Sequence, residues 1–184
     1  MPKRSVICIS ASRGRADRIV HDLKEAGFSG SDLSVLFLDR STTDRRPGNK
    51  GIPASPISAV APPSTEIRGV LGWIPGIRLL LIPGVAPLIA AGPIAAALSS
   101  ATVGGIAGGL IDFNVPQVEA ARYEGRINDG DMLIAVHSEN PESSDQARAI
   151  FTANEAENIF TMIEVLASKI SLQSAYGPHS RTVA

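Results

Sequence analysis

The sequence predicts an α+β fold: two βαβ halves in a split ferredoxin-like arrangement, with a long apolar Gly/Ala-rich helical segment inserted between them. Three observations lead there. A strand–helix–strand pattern fills the first forty residues, and a second pattern of similar size begins near Asp131. Between Arg78 and Asp112 lie 33 consecutive residues without a charge. A chain of 184 residues has room for one or two domains and a sizeable core.

The elements follow in order. Ser5 to Ser10 is rich in Val and Ile and alternates poorly, as a short buried strand does. From about Arg13 to Ala26, Ala16, Ile19, Val20 and Leu23 recur at helical spacing between charged residues. Ser12 stands where an N-cap belongs and Gly27 where a left-handed residue ends a helix. Asp32 to Leu38, with the run LSVLFL, reads as the second strand, so residues 1–40 form the first half. Residues 41–68 are polar and then Pro-rich, the composition of an extended linker. In the second half, residues 116–164, a helix runs from Pro116 to Ile127 and a strand from Asp131 to His137. Asn140-Pro141-Glu142 then opens a helix reaching about Ala153. The first residues of the apolar segment from Ile159 can form a last strand, yet Ile159, Met162, Ile163, Leu166 and Ile170 also fit a helix, and period alone does not separate the two. Residues 165–184 form a C-terminal extension.

The inserted segment, residues 69–115, carries the strongest signal. Pro75, Pro83 and Pro87 break the stretch from Trp73 to Ile89, which suits a short re-entrant or interfacial arm. Pro93 suits the first turn of a helix, and from there to Ile111 an uninterrupted helix would measure roughly 28 Å, close to a bilayer's hydrocarbon thickness. Within it Gly92, Ala96, Ser100, Gly104 and Gly108 recur every four residues, beside a second row of Ala97, Ala101, Gly105 and Gly109. Small residues at that spacing let another backbone approach, as in a glycine zipper. Interior glycines each cost about 1 kcal/mol relative to alanine, so the helix needs shelter. Three shelters are compatible with it: the protein's own core, with the segment packed as a hairpin, further copies of the chain, or a membrane.

Composition narrows the partners. A net charge of -1 argues against binding nucleic acid through phosphate neutralisation. One cysteine excludes an internal disulfide framework and a multi-Cys zinc site. The short apolar run at the start, soon followed by arginines, is not a secretory signal, and with Cys8 inside it the compartment is read as a reducing cytoplasm. The loop holding Ser12, Arg13 and Arg15 joins a strand to a helix N-terminus, where an anion can bind, but a capping serine with solvated arginines is the better account of it. His21, His137 and His179 have no metal-ligand spacing, and Cys8 reads as a small core residue. Asp112 is the first polar residue after the apolar run, either re-entering water or marking an ion path. In the helix after Pro116, Glu119–Tyr123 and Arg122–Arg126 offer no opposite-charge pair at i+4. No acid, base and nucleophile assemble, so neither an enzyme, a cofactor nor a metal is expected.

The stretches IPGVAPLIAAGPIAAALSSATVGGIAGGLID and VPQVEAARYEGRINDGDMLIAVHS, after a SVLFLD strand, resemble the bacterial general stress protein domain family over roughly residues 4–40 and 69–160. The resemblance implies a small α+β domain with a glycine-zipper-like centre, stress-linked expression, and membrane or self-association, with no catalytic residues. Two departures are the Pro-rich Gly51–Ser64 and the tail after about Val165. The expectation is a non-enzymatic, cytoplasmic, membrane-associated protein that forms homo-oligomers through Gly92, Ala96, Ser100, Gly104, Gly105, Gly108 and Gly109, with membrane lipid as a further partner. The alternative is a soluble small-ligand or anion-binding regulatory module, its apolar helix buried in its own core.

Overall fold

A computed structural model describes residues 3–38, 74, 78–80, 88–100 and 105–164. The first half is β1 (Lys3–Ser10), α1 (Arg13–Glu25) and β2 (Leu33–Leu38), with a 3-10 turn over Gly30–Asp32. Then come β3 (Arg78–Leu80), β4 (Leu88–Ala91), α2 (Pro93–Ser100), α3 (Gly105–Asp112) and α4 (Gln117–Asp129). The chain continues with β5 (Met132–Ser138), α5 (Pro141–Ala153) and β6 (Glu157–Glu164).

Among the described residues six strands form one sheet in the order β3-β4-β2-β5-β1-β6, and every neighbouring pair is antiparallel. β1 and β2 therefore run parallel on either side of β5, while β5 and β6 run parallel on either side of β1. Each half receives a strand of the other between its own two strands. The ambiguous segment after Glu157 is a strand because β1 offers it a free edge, pairing Arg4 with Ile163 and Ile7 with Phe160.

The poor alternation of β1 now has a cause: both faces of the sheet are covered, so both sets of side chains are apolar. On one face Val6, Cys8, Ile134 and Val136 meet Ile19 and Leu23 of α1 and Ala147 and Phe151 of α5. On the other, Ile7, Ile9, Leu36 and Leu133 meet Ile94 and Leu98 of α2, Ile106 and Leu110 of α3, and Tyr123 and Ile127 of α4.

The inserted segment departs from its expectation in two ways. The single helix from Pro93 to Ile111 is replaced by two, α2 and α3, packed against each other. A Cβ built on Gly109 would lie 3.2 Å from the Leu98 Cα, whereas eleven residues of one helix separate such positions by roughly 16 Å. Gly105, at φ +72, starts α3 in a conformation that a continuing helix excludes. The expected re-entrant arm is also replaced: Leu88 to Ala91 pairs with β2, and Arg78 to Leu80 adds an edge strand, so the insertion is not purely helical. Among the described residues no helix is long and apolar enough to cross a membrane. The 41–68 linker and the 165–184 extension, with His179, lie outside the described residues, as does Gly104.

Candidate functional site

Three polar side chains lie in the middle strands, on the face that carries α2, α3 and α4. Ser5 on β1 is directly opposite His137 on β5. Because Leu33 is opposite Val136 and Ser34 opposite Ala135, Ser34 reaches His137 diagonally from β2. The Ser5 hydroxyl is 2.7 Å from Nδ1 of His137, and the Ser34 hydroxyl 2.8 Å from Nε2. Both serines are fully buried and the imidazole is 5% exposed. Neutral imidazole has one donor and one acceptor nitrogen, and a hydroxyl can play either part, so the trio satisfies the ring in either tautomer.

The chain of bonds continues beyond the sheet. Ser34 Oγ accepts the Ile94 amide of α2 at 3.1 Å, and the Phe113 ring, just past α3, stands edge-on to the imidazole at 5.3 Å and 75°. His137 thus touches the groups that fix both ends of the α2–α3 pair. Gly92 makes this approach possible. It has φ +80, and a Cβ there would fall 2.0 Å from the Leu33 carbonyl oxygen and 2.8 Å from Ser34 Oγ.

At the end of β5, His137, Ser138 and Glu139 also line a polar cavity of about 330 Å³, with Lys3, Phe28, Asp32 and Ser143 among its other walls. The chain's turns bring these groups together. A Schellman closure ends α1, with Phe28 N–H donating to Leu23 O and Gly27 N–H to Lys24 O, and Gly27 at φ +90. That turn leads to Asp32. Asn140 caps α5 by accepting the Glu142 amide at 3.0 Å, which sets Ser143 on the first turn. Lys3 pairs with Glu139 at 3.8 Å across the rim.

The sequence-derived candidates are distributed differently. Gly92 lies before α2, where its bare backbone meets β2. Ala96 is exposed on α2, Ser100 ends that helix, and Gly108 is half-buried on α3. Gly109 packs on Leu98 within the same chain, and Gly105 lies under Glu124, whose carboxylate accepts the Ile106 and Ala107 amides at 3.0 and 3.3 Å. The four-residue row is therefore not one helical face. Ser12 caps α1 by accepting the Arg15 amide at 3.3 Å. Arg13 sits 5.8 Å above the Phe37 ring, and Arg15 donates to the carbonyl and carboxylate of Glu155, both at 3.2 Å. The loop's cations are thus engaged within the chain.

Other groups settle into structural roles. Cys8 is buried in β1, and burial pushes its thiol pKa far up. Asp112 is exposed at the end of α3. Tyr123, sealed under β6, donates to the Asn158 carbonyl at 2.9 Å, where an irregularity in the β1–β6 register frees that oxygen. Arg126 joins Asp131 and Glu157, whose hydrogen bonds raise its pKa, Glu157 foremost. Arg122 meets Glu119 at 3.0 Å, an i,i+3 pair that counting at i+4 overlooks. Among the described residues no group of three or more His, Cys, Asp or Glu is placed to hold a metal ion.

Sequence reasoning passed over the Ser5–His137–Ser34 trio, yet a signal was present. Each is a polar residue in a strand otherwise buried on both faces, and such a group must find a partner. No protein-family model, curated protein or solved structure matches the chain.

Proposed function

We propose that this chain is a non-enzymatic regulatory module that binds a small polar molecule beside His137, with its apolar segment serving as its own core. The carrying observation is the continuity from cavity to insertion: the cavity wall includes His137, His137 bonds Ser34, and Ser34 holds the first turn of α2. A molecule that shifts the end of β5 at His137 changes the bond His137 makes to Ser34, the acceptor of the Ile94 amide, and so biases the α2–α3 pair. The cavity's volume falls at the lower end of small-molecule sites. The strand order β6-β1-β5-β2, with the two βαβ halves interleaved, supports a split ferredoxin-like scaffold carrying an insertion. A non-catalytic reading is supported by the sealing of Ser5, Ser34 and Cys8 away from the surface.

The test is an amide-resonance titration of the full chain with a panel of small amines, carboxylates and alcohols. Shifts at Gly27, Ser138 and Ser143 report binding, and a concerted shift of the Ile94 amide reports transmission. Binding with a stationary Ile94 amide would remove the regulatory part, and no response to any compound would remove the site.

A second reading, homo-oligomerisation through the insertion, draws support from the outer surface of the α2–α3 pair. Ala96 is exposed and Ile111 is 41% exposed, leaving small and apolar groups outward. In that reading Ala96→Glu lowers the sedimenting mass of the wild-type particle; an unchanged mass excludes this surface.

A further inference from the structure

The cavity beside His137 has an unbalanced charge. Lys3 and Glu139 face each other at 3.8 Å and offset one another. Asp32 also forms part of the wall, and among the described residues its carboxylate has neither a hydrogen bond nor an ion pair. Asp32 thus leaves the lining one carboxylate that no cation offsets. A second feature has the same sign. The wall at Gly27 is the C-terminal end of α1, whose backbone dipoles present partial negative charge and favour a cation. Beside both is Phe28, half-buried and packed on the core, offering an apolar surface to a cation's stem.

We infer that the molecule bound here is a small organic monocation, an ammonium on a short apolar stem, with its charge at Asp32 and its stem against Phe28. This inference rests on the ligand-binding reading above and specifies the class of molecule. A simple anion meets the wrong sign at Asp32 and has only Lys3, already engaged by Glu139. A neutral alcohol of equal size leaves the carboxylate unpaired under the bound molecule, which costs affinity. Because Asp32 is partly exposed, solvent and salt moderate the attraction, so binding is expected to weaken as ionic strength rises.

Three probes of matched size separate these outcomes: n-butylammonium, butyrate and n-butanol, each titrated into the full chain while the Gly27, Ser138 and Ser143 amides are followed. Butylammonium is expected to bind most tightly, and Asp32→Asn to weaken it by about 3- to 5-fold with no change in the amide-resonance pattern of the unliganded sheet. Phe28→Leu, which keeps an apolar wall, should weaken it less. Butyrate or butanol shifting the same amides at equal or lower concentration would overturn the monocation while leaving the binding site in place. Butylammonium binding unaltered by Asp32→Asn would also overturn it. If none of the three moves these amides, the class and the site fall together.

Discussion

The two faces of the sheet are covered by helices of different kinds. On one face, α1 and α5 are thirteen residues each and carry their own stop and start signals: Ser12 and Asn140 cap them locally, and both end in Schellman closures. On the other, α2 and α3 are eight residues each, shorter than an isolated helix can sustain in water. Their first turns are held by side chains distant in sequence, Ser34 for α2 and Glu124 for α3. One face is therefore assembled from helices defined locally, the other from segments that become helices only where the sheet and α4 receive them. Glycine has opposite meanings in α1 and around the α2–α3 pair. A Cβ placed on Gly14 in α1 would have nothing within 4 Å, while Gly92 and Gly109 are pressed against Leu33 and Leu98.

The sharpest way to break this contrast is to add one methyl group to each side. Gly92→Ala meets both an unfavourable φ and the Leu33 carbonyl, and is expected to cost about 3–5 kcal/mol in urea unfolding. Gly14→Ala should instead stabilise by about 0.5–1 kcal/mol, since it adds helix propensity in open space. Equal effects would dissolve the distinction. Cap removal gives the next largest difference. Glu124→Ala, which leaves two amides of α3 without their acceptor, should cost about 2 kcal/mol and speed amide exchange at Ile106 and Ala107. Ser12→Ala should cost about 1 kcal/mol, with faster exchange confined to the start of α1.

The smallest effect appears only in alkali. Burial, with Glu119 nearby, holds the Tyr123 phenol above its ordinary range. The unfolded chain releases this proton near pH 10 while the folded chain retains it. The associated stability is present below about pH 10 and declines as the pH rises beyond it. Tyr123→Phe should flatten that decline in unfolding curves between about pH 9.5 and 11, although it forfeits the bond to Asn158.

What the sequence made legible follows the same division. The boundaries of α1 and α5 could be read because Ser12, Gly27 and Asn140 act within their own turns. The break between α2 and α3 could not, because the apolar period is the same in a helical pair as in one long helix. It is fixed by the Leu98–Gly109 contact and by Glu124 against the first turn of α3 at Gly105, both tertiary. β4 was hidden for a related reason: Leu88 to Ala91, covered on both sides, lacks alternation. β6 was undecidable until β1 supplied an edge. The trio at His137 spans 132 residues from Ser5, so only a fold that places β1, β5 and β2 side by side can assemble it.

The position of Cys8 gives the molecule an internal clock. It is the chain's one thiol, and it lies in β1 between β5 and β6, beneath α1 and α5, with no accessible surface. A thiol reagent added to the folded protein reaches that sulfur only during moments when α1 or α5 lifts from the sheet or the strands beside β1 part. The rate of labelling in native buffer therefore times the opening of this core rather than the fraying of a terminus. Every variant of the α2–α3 pair, the caps or the cavity can be ranked by that single reading, without denaturant.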